Sequence, residues 1–315
     1  MRPKLLACEL MAALALTACS GPGGTSRADG PADPAGHGPT ASAADGPAAT
    51  GRPTASGTSP SASSSARPSA PDGPAGSTPP AGKKRWQPRP GLAWQWQLDG
   101  EADPSVDVPV YDIDGFENSA ADVALLHRAD RKVICYLNVG AWEDFRPDKD
   151  SFPQSVLGAA NGWEGERWLD IRRLDVLRPI MERRMDMCRA KGFDAVEPDL
   201  VEGYAGETGF PLTAEDQLAY NRMIARVAHE RGLAVGLKND LPQIPRLVGQ
   251  FDFAVNEECA QYDECGALRP FIAAGKAVFH VEYAEPTGEF CAESRALHLS
   301  SMRKRLDLGV WRQPC

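Results

Sequence analysis

The chain has 315 residues and a formal net charge of −9, which leaves room for one large domain or two small ones. Residues 84–315 carry the imbalance, with 38 acidic against 28 basic side chains. A surface of that sign repels nucleic acid and favours neutral or cationic ligands.

At the N-terminus, Arg2 and Lys4 precede an apolar run over residues 5–18. The run is too short to span a bilayer and has the make-up of a signal segment. It ends in Leu16-Thr17-Ala18-Cys19, which resembles the lipobox of bacterial lipoproteins. The expectation is a lipidated Cys19, an exported protein, and a lipid anchor on the outer face of the cell membrane, with release into the medium as an alternative. Residues 19–83 then read as Cys19 followed by a stalk rich in Pro, Ala, Gly, Ser and Thr. A stretch with so few large apolar side chains cannot offset its ordering entropy, so a disordered linker is expected.

From residue 84 onward large apolar residues return. Short apolar runs begin at Trp94, Val108, Lys132, Phe193, Ala234, Phe251, Ala277 and Leu308. Between them lie helical signals. Leu174, Leu177, Met181, Met185 and Cys188 recur at helical spacing, with Gly192 as a stop. Thr213 and Asp216 have the spacing of a capping box, and Tyr220, Met223, Ile224 and Val227 make one apolar face. Strand–helix alternation repeated eight times predicts an α/β fold, a (β/α)8 TIM barrel over residues 84–315. A doubly wound open sheet is the alternative, but no Gly-rich phosphate fingerprint follows the first run.

In such a barrel the active site is built at the carboxyl ends of the strands. Polar, mostly acidic residues stand at those ends: Asp112 and Asp114, Tyr136 and Asn138, Glu197 and Asp199, Lys238 to Asp240, Glu257 and Glu258, Glu282 and Tyr283. Glycosidic cleavage uses two carboxyl groups flanking one bond, one as acid and the other as nucleophile or base. Asp199 and Glu257 meet that need from two different strands. Glu197 and Asp199 share a side of their strand, whereas Glu257 and Glu258 face opposite sides. Paired acids also bind metals or form salt bridges, here with Lys238 or Arg172, and the residues alone leave that choice open. Nothing in the sequence calls for a metal or another cofactor.

Six cysteines fall in the domain: Cys135, Cys188, Cys259, Cys265, Cys291 and Cys315. An even number in an exported protein predicts disulfides. Cys259–Cys265 is the pairing to expect within one short loop, and Cys291–Cys315 would pin the C-terminus. Their spacing does not fit zinc.

Several segments together resemble glycoside hydrolase family 114. They are Val133-Ile134-Cys135-Tyr136, the run from Gly165 to Arg172, Gly192-Phe193-Asp194-Ala195-Val196-Glu197-Pro198-Asp199, Gly236-Leu237-Lys238-Asn239, Asn256-Glu257-Glu258-Cys259, and the run from Gly275 to Tyr283. The resemblance implies a TIM barrel that hydrolyses α-1,4-linked, partly deacetylated galactosamine polymer in endo fashion. It implies Asp199 as nucleophile and Glu257 as acid/base. It also implies subsites lined by Asp114, Tyr136, Asp170, Arg172, Glu197, Lys238, Asn239, Glu282 and Tyr283. An acidic mouth with aromatic residues suits a cationic amino-sugar polysaccharide. Trp94, Trp96 and Trp168 could stack on sugars or belong to the core. A carbohydrate-binding lipoprotein without activity, and a glycan hydrolase of other specificity, are the alternatives.

Overall fold

The computed structural model describes residues 85–315. The signal-like segment, Cys19 and the stalk lie outside the described residues.

Eight parallel strands form the curled sheet at the centre of the domain. In chain order they are β1 (Trp94–Gln97), β2 (Val110–Asp114), β3 (Lys132–Asn138), then β7 (Ala195–Asp199), β8 (Ala234–Lys238), β9 (Phe253–Glu257), β10 (Val278–Glu282) and β11 (Ser300–Arg303). Between β3 and β7 the chain adds an antiparallel sheet of β4 (Ala141–Glu143), β5 (Leu157–Ala160) and β6 (Glu166–Leu169), ordered β4-β6-β5. Strand β12 (Gln313–Pro314) pairs antiparallel with β11. The helices are α1 (Ala120–Arg128), α2 (Leu174–Lys191), α3 (Ala214–Glu230), α4 (Ile244–Leu247), α5 (Arg269–Ala273) and α6 (Thr287–Ala296). This is the (β/α)8 TIM-barrel architecture that the alternation predicts.

The helix boundaries follow local chemistry. Gly192 ends α2 in the left-handed conformation, φ 96°, which glycine adopts without strain. Thr213 accepts from the Asp216 amide, and the Asp216 side chain accepts from the Thr213 amide, closing the capping box of α3. Ser119 and Asp122 do the same for α1.

One strand lies elsewhere than expected. The run from Leu308 to Trp311 is irregular, and the eighth strand is Ser300–Arg303. The sequence disguises it because the outward-facing position, Ser301, bonds His280 Nδ1 at 2.8 Å instead of packing on apolar side chains. The 308–310 segment helps to join the two edges of the curled sheet. Leu98 N donates to Leu308 O (3.0 Å), and Gln95 Nε2 to Val310 O (2.8 Å). Trp94 Nε1 donates to Ser300 O directly across (2.8 Å).

Alternation along the strands divides the core in two. Val123, Leu126, Leu177, Met181, Met185, Leu218, Tyr220 and Ile224 on the helices pack against the outer sheet face. The lumen is a separate cluster that includes Trp94, Trp96, Val110, Ile134, Ala195, Ala234, Phe253, Val255, Phe279 and Val281. Trp94 and Trp96 are core, each 1% exposed, and Trp168 is buried as well. Gly236 is required within the lumen, since a Cβ there would meet the Phe253 ring at 2.4 Å.

Three disulfides brace the domain: Cys135–Cys188 ties β3 to α2, Cys259–Cys265 closes the loop after β9, and Cys291–Cys315 ties α6 to the C-terminus. Cys259 and Cys265 come close to His280, but their sulfurs are bonded to each other and are not free to ligate a metal.

Candidate active site

The apolar cluster marks which positions face the lumen: 110, 134, 195, 234, 253 and 279. Counting on by twos, the same face next carries Asp112, Tyr136, Glu197, Gly236, Val255 and Val281, and then Asp114, Asn138, Asp199, Lys238, Glu257 and Tyr283. The lumen therefore passes from an apolar floor to a polar mouth within about two residues' rise. Register aligns the layers, with Tyr136 opposite Glu197 and Asn138 opposite Asp199.

Lys238 is the hub. Its ammonium sits 2.8 Å from Asp199 Oδ1, 3.0 Å from Glu257 Oε2 and 3.5 Å from Glu197 Oε1. It also lies 4.9 Å from the centre of the Trp96 ring beneath it, a favourable seat for a buried cation. The lysine side chain is 3% exposed, whereas Asp199 and Glu257 are 16% and 25% exposed and so open to the mouth. Tyr136 donates its hydroxyl to Asp199 Oδ2 at 2.7 Å. Tyr283 donates to Glu257 Oε1. Each of the two carboxylates thus receives one tyrosine hydroxyl and a share of one ammonium.

These contacts set protonation. Burial works to raise the Asp199 carboxyl, but the charge and hydrogen bond of Lys238, with Tyr136, outweigh it and hold Asp199 below the usual value. Burial works to deprotonate Lys238, but Asp199, Glu257 and Glu197 together hold it well above the usual lysine value. Burial and the neighbouring carboxylates push both tyrosines well up, so they remain donors.

The strands end abruptly at these residues. Leu200, Asn239 and Glu258 follow Asp199, Lys238 and Glu257 directly, and all three have positive φ, 58°, 46° and 61°. Non-glycine residues held in that region carry backbone strain, which collects at functional sites. Backbones also approach closely here, since a Cβ on Gly140 would lie 1.7 Å from Leu200 O.

The other expected residues have different placements. Asn239 buttresses the site: its Oδ1 accepts from the Glu257 amide at 2.9 Å, and its Nδ2 donates to Glu202 Oε1 at 3.1 Å. Asp114 is buried under a two-point bond from Arg146, at 3.0 and 2.6 Å. Glu197 is fully buried below the mouth. Glu282 has the opposite parity and leaves the lumen, accepting from the Ala260 amide and meeting His280, each at 2.8 Å. Asp170 and Arg172 bind each other at 2.7 and 2.8 Å beside the inserted sheet, outside the bonds that join Lys238 to its partners.

Two acids of the site escape a reading of strand ends, and a third is read there without its depth. Glu202, in the loop after β7, accepts from the Asp240 amide at 3.0 Å and from Asn239. Glu166, on β6, accepts from Asn138 at 3.2 Å and from Asn161 at 2.8 Å, and burial raises its carboxyl. Asp112 is fully buried, and burial together with the charge of Glu197 pushes its carboxyl well up. The first two hold the mouth through asparagine side chains, a pattern without a local sequence signature. Asp112 stands visibly at a strand end, but its depth does not show in the sequence.

Comparison with known proteins identifies the family and the fold. Residues 75–315 match the profile of Glycoside-hydrolase family GH114. The structure of Aspergillus fumigatus Ega3 in complex with galactosamine is similar at 39% identity and TM-score 0.70, covering 74% of this chain and 99% of that one. The glycoside hydrolase domain of PelA from Pseudomonas aeruginosa shares the fold at 16% identity and TM-score 0.57, covering 71% of this chain and 98% of that one. An uncharacterized protein of Deinococcus radiodurans is 29% identical over 201 residues, 56% of this chain, and the chain spans 64% of that relative's length. A profile match over the whole described barrel, joined by a 39%-identical structure with the same fold, places the chain in glycoside hydrolase family GH114.

Proposed function

We propose that the protein is an endo-acting hydrolase of α-1,4-linked galactosamine polymers, with Asp199 as nucleophile and Glu257 as general acid/base. The observation that carries this reading is that both carboxylates bond the same ammonium, at 2.8 and 3.0 Å. Their bonded oxygens are therefore at most about 6 Å apart, short of the roughly 6.5–9.5 Å of inverting pairs and within the range that admits the roughly 5–5.5 Å of retaining ones.

The steps follow from the donors. Asp199, kept ionised by Lys238 and Tyr136, attacks the anomeric carbon as Glu257, which enters this step carrying the proton gained from water in the previous turnover, gives that proton to the departing glycosidic oxygen. The C–O bond to the leaving chain breaks, and a glycosyl ester forms on Asp199. Esterification removes the Asp199 charge and leaves the ammonium to Glu257 and Glu197, which favours ionised Glu257. Glu257 then takes a proton from water, whose oxygen attacks the anomeric carbon and releases Asp199. Two tyrosines and one lysine hold the pair in place, so little reorganisation is needed in the transition state.

The substrate class rests on the galactosamine bound to the 39%-identical relative and on the acidic character of the domain. A sugar carrying an ammonium is drawn to a mouth in which Asp199, Glu257, Glu202 and Glu166 outnumber one lysine. Mass spectrometry of products from a partly deacetylated galactosamine polymer tests it. Oligosaccharides of several lengths are expected, and their absence would leave a binding protein.

We also infer export and lipid anchoring at Cys19. Three disulfides in one domain support an oxidising compartment. Metabolic labelling with a fatty acid tests the anchor: label is expected on the wild type and not on Cys19→Ser.

A further inference from the structure

The mechanism above leaves one pair of buried acids unused. Asp112 and Glu197 come from β2 and β7 on either side of β3, and neither has any exposed surface. Both carboxyls face the lumen just above its apolar floor, and the charge of Glu197 works to keep the Asp112 carboxyl protonated. As two carboxylates they would be stranded, because none of their four oxygens has a hydrogen-bond donor among the described residues. The remaining cation, Lys238, stands 3.5 Å from Glu197 Oε1 and gives its shorter contacts to Asp199 and Glu257. Two ionised carboxyls side by side in a dry lumen are prohibitively costly, whereas one proton between them supplies the missing donor and halves the charge.

We propose that Asp112 and Glu197 share one proton beneath Lys238, and that this pair, carrying one negative charge rather than two, leaves the ammonium with Asp199 and Glu257; Asp112 is thereby a positioning residue. The role in turnover rests on the hydrolase reading, but the shared proton does not. The charged and titratable groups around the pair are Lys238 on β8, Asp199 on β7, Glu257 on β9 and Tyr136 on β3. Burial raises both acids, Glu197 to about 7, against the pull of Lys238. With the proton in place, Glu197 attracts Lys238 weakly enough that the ammonium stays with the reacting pair. With the proton lost, a second buried negative charge draws the ammonium down and loosens the grip on Asp199.

Infrared spectroscopy of the intact protein at neutral pH tests the proton without any substrate. A carbonyl stretch of a buried, protonated carboxyl that shifts in heavy water is expected in the wild type. In wild-type-minus-variant difference spectra this band should be missing from both Asp112→Asn and Glu197→Gln, since an amide then donates to the surviving carboxylate. Absence of the band in the wild type, or its persistence in both variants, would overturn the pair. Kinetics on galactosamine oligomers test the positioning. In Asp112→Asn, kcat is expected to stay within about threefold of wild type. In Asp112→Ala, kcat should fall at least about tenfold with KM within about threefold, as for a group acting only on the reacting pair. A merely structural role would lower thermal stability and leave kcat per folded molecule unchanged in Asp112→Ala, and that result would overturn the assignment. If Asp112→Ala does not fold, the infrared difference spectra of Asp112→Asn and Glu197→Gln still decide the shared proton.

Discussion

Acidic residues stand at both ends of the barrel strands, and the two ends use them differently. Before β7, Asp194 accepts from the Val133 amide (3.0 Å) and from Lys132 (2.6 Å), and His127 lies 2.9 Å away. Before β9, Asp252 repeats the pattern with the Val235 amide (3.1 Å), Arg85 and His229. Each of these acids clamps an amide near the start of a neighbouring strand, and its remaining capacity goes to one lysine or arginine and one histidine. At the other end Asp199 and Glu257 divide one ammonium and take phenolic donors, with part of each carboxylate open to the mouth. An acid bonded into the strand framework is a fastener. An acid held by side chains, and exposed on one side, can take a sugar and exchange a proton.

The largest effects expected from this contrast fall at the mouth. Asp199→Asn and Glu257→Gln should each lower kcat by about 10³-fold or more while the fold survives, measured on a galactosamine polymer. Near-wild-type rates in both would break the comparison. Lys238→Met should act on both rate and stability. The loss of the shared cation should cost about 10²-fold in kcat, and leaving buried carboxyls unpaired should cost about 3–5 kcal/mol in denaturant unfolding. Tyr136→Phe, which removes one donor to Asp199, should lower kcat by about tenfold with KM little changed.

At the fastening end the same kind of substitution should leave turnover alone. Asp252→Asn should lose about 1–3 kcal/mol at neutral pH with unchanged kcat per folded molecule. Burial works to raise the Asp252 carboxyl, but His229 and Arg85 outweigh it and hold it below the ordinary value of 3.8. A carboxyl depressed in the folded state stabilises fully above its unfolded pKa and loses that contribution as pH falls through its folded one. The stability curves of wild type and Asp252→Asn should therefore stay apart above about pH 4 and converge in stronger acid. Parallel curves down to the most acidic conditions would show that Asp252 is not the fastener described.

Much of the fold was legible because parallel barrel strands are short apolar runs that end in polar residues at one mouth. The run of Glu197, Pro198 and Asp199 and the run of Asn256 and Glu257 are where two strand ends announce chemistry. Ser300–Arg303 was not legible as a strand, because its outward serine meets a histidine and the Leu308 segment is the more apolar. The inserted sheet of β4, β5 and β6 was missed for a related reason, as its short strands include the weak strand formers Gly158, Ala159 and Ala160. At the site, alternation gave the facing of Glu197 and Asp199 but not their depth. Depth separates an acid at the mouth from one sealed against Asp112. Nor does any local pattern show that one lysine on β8 gathers acids from β7 and β9, since that follows from the curl of the sheet. Glu282 shows the converse: it lies beside Tyr283 in sequence, yet one step of parity sends it to the outer face with His280.

The central claim is that Asp199 and Glu257, drawn together by Lys238, act as a nucleophile and an acid/base on opposite roles of one cleavage. Proton NMR of the first products released from an α-linked galactosamine oligomer tests it most directly, before the new reducing end mutarotates. Two displacements at the anomeric carbon predict that the α-anomer appears first and the β-anomer grows in later. The β-anomer appearing first would mean a single displacement by water and would contradict the account of Asp199 as nucleophile.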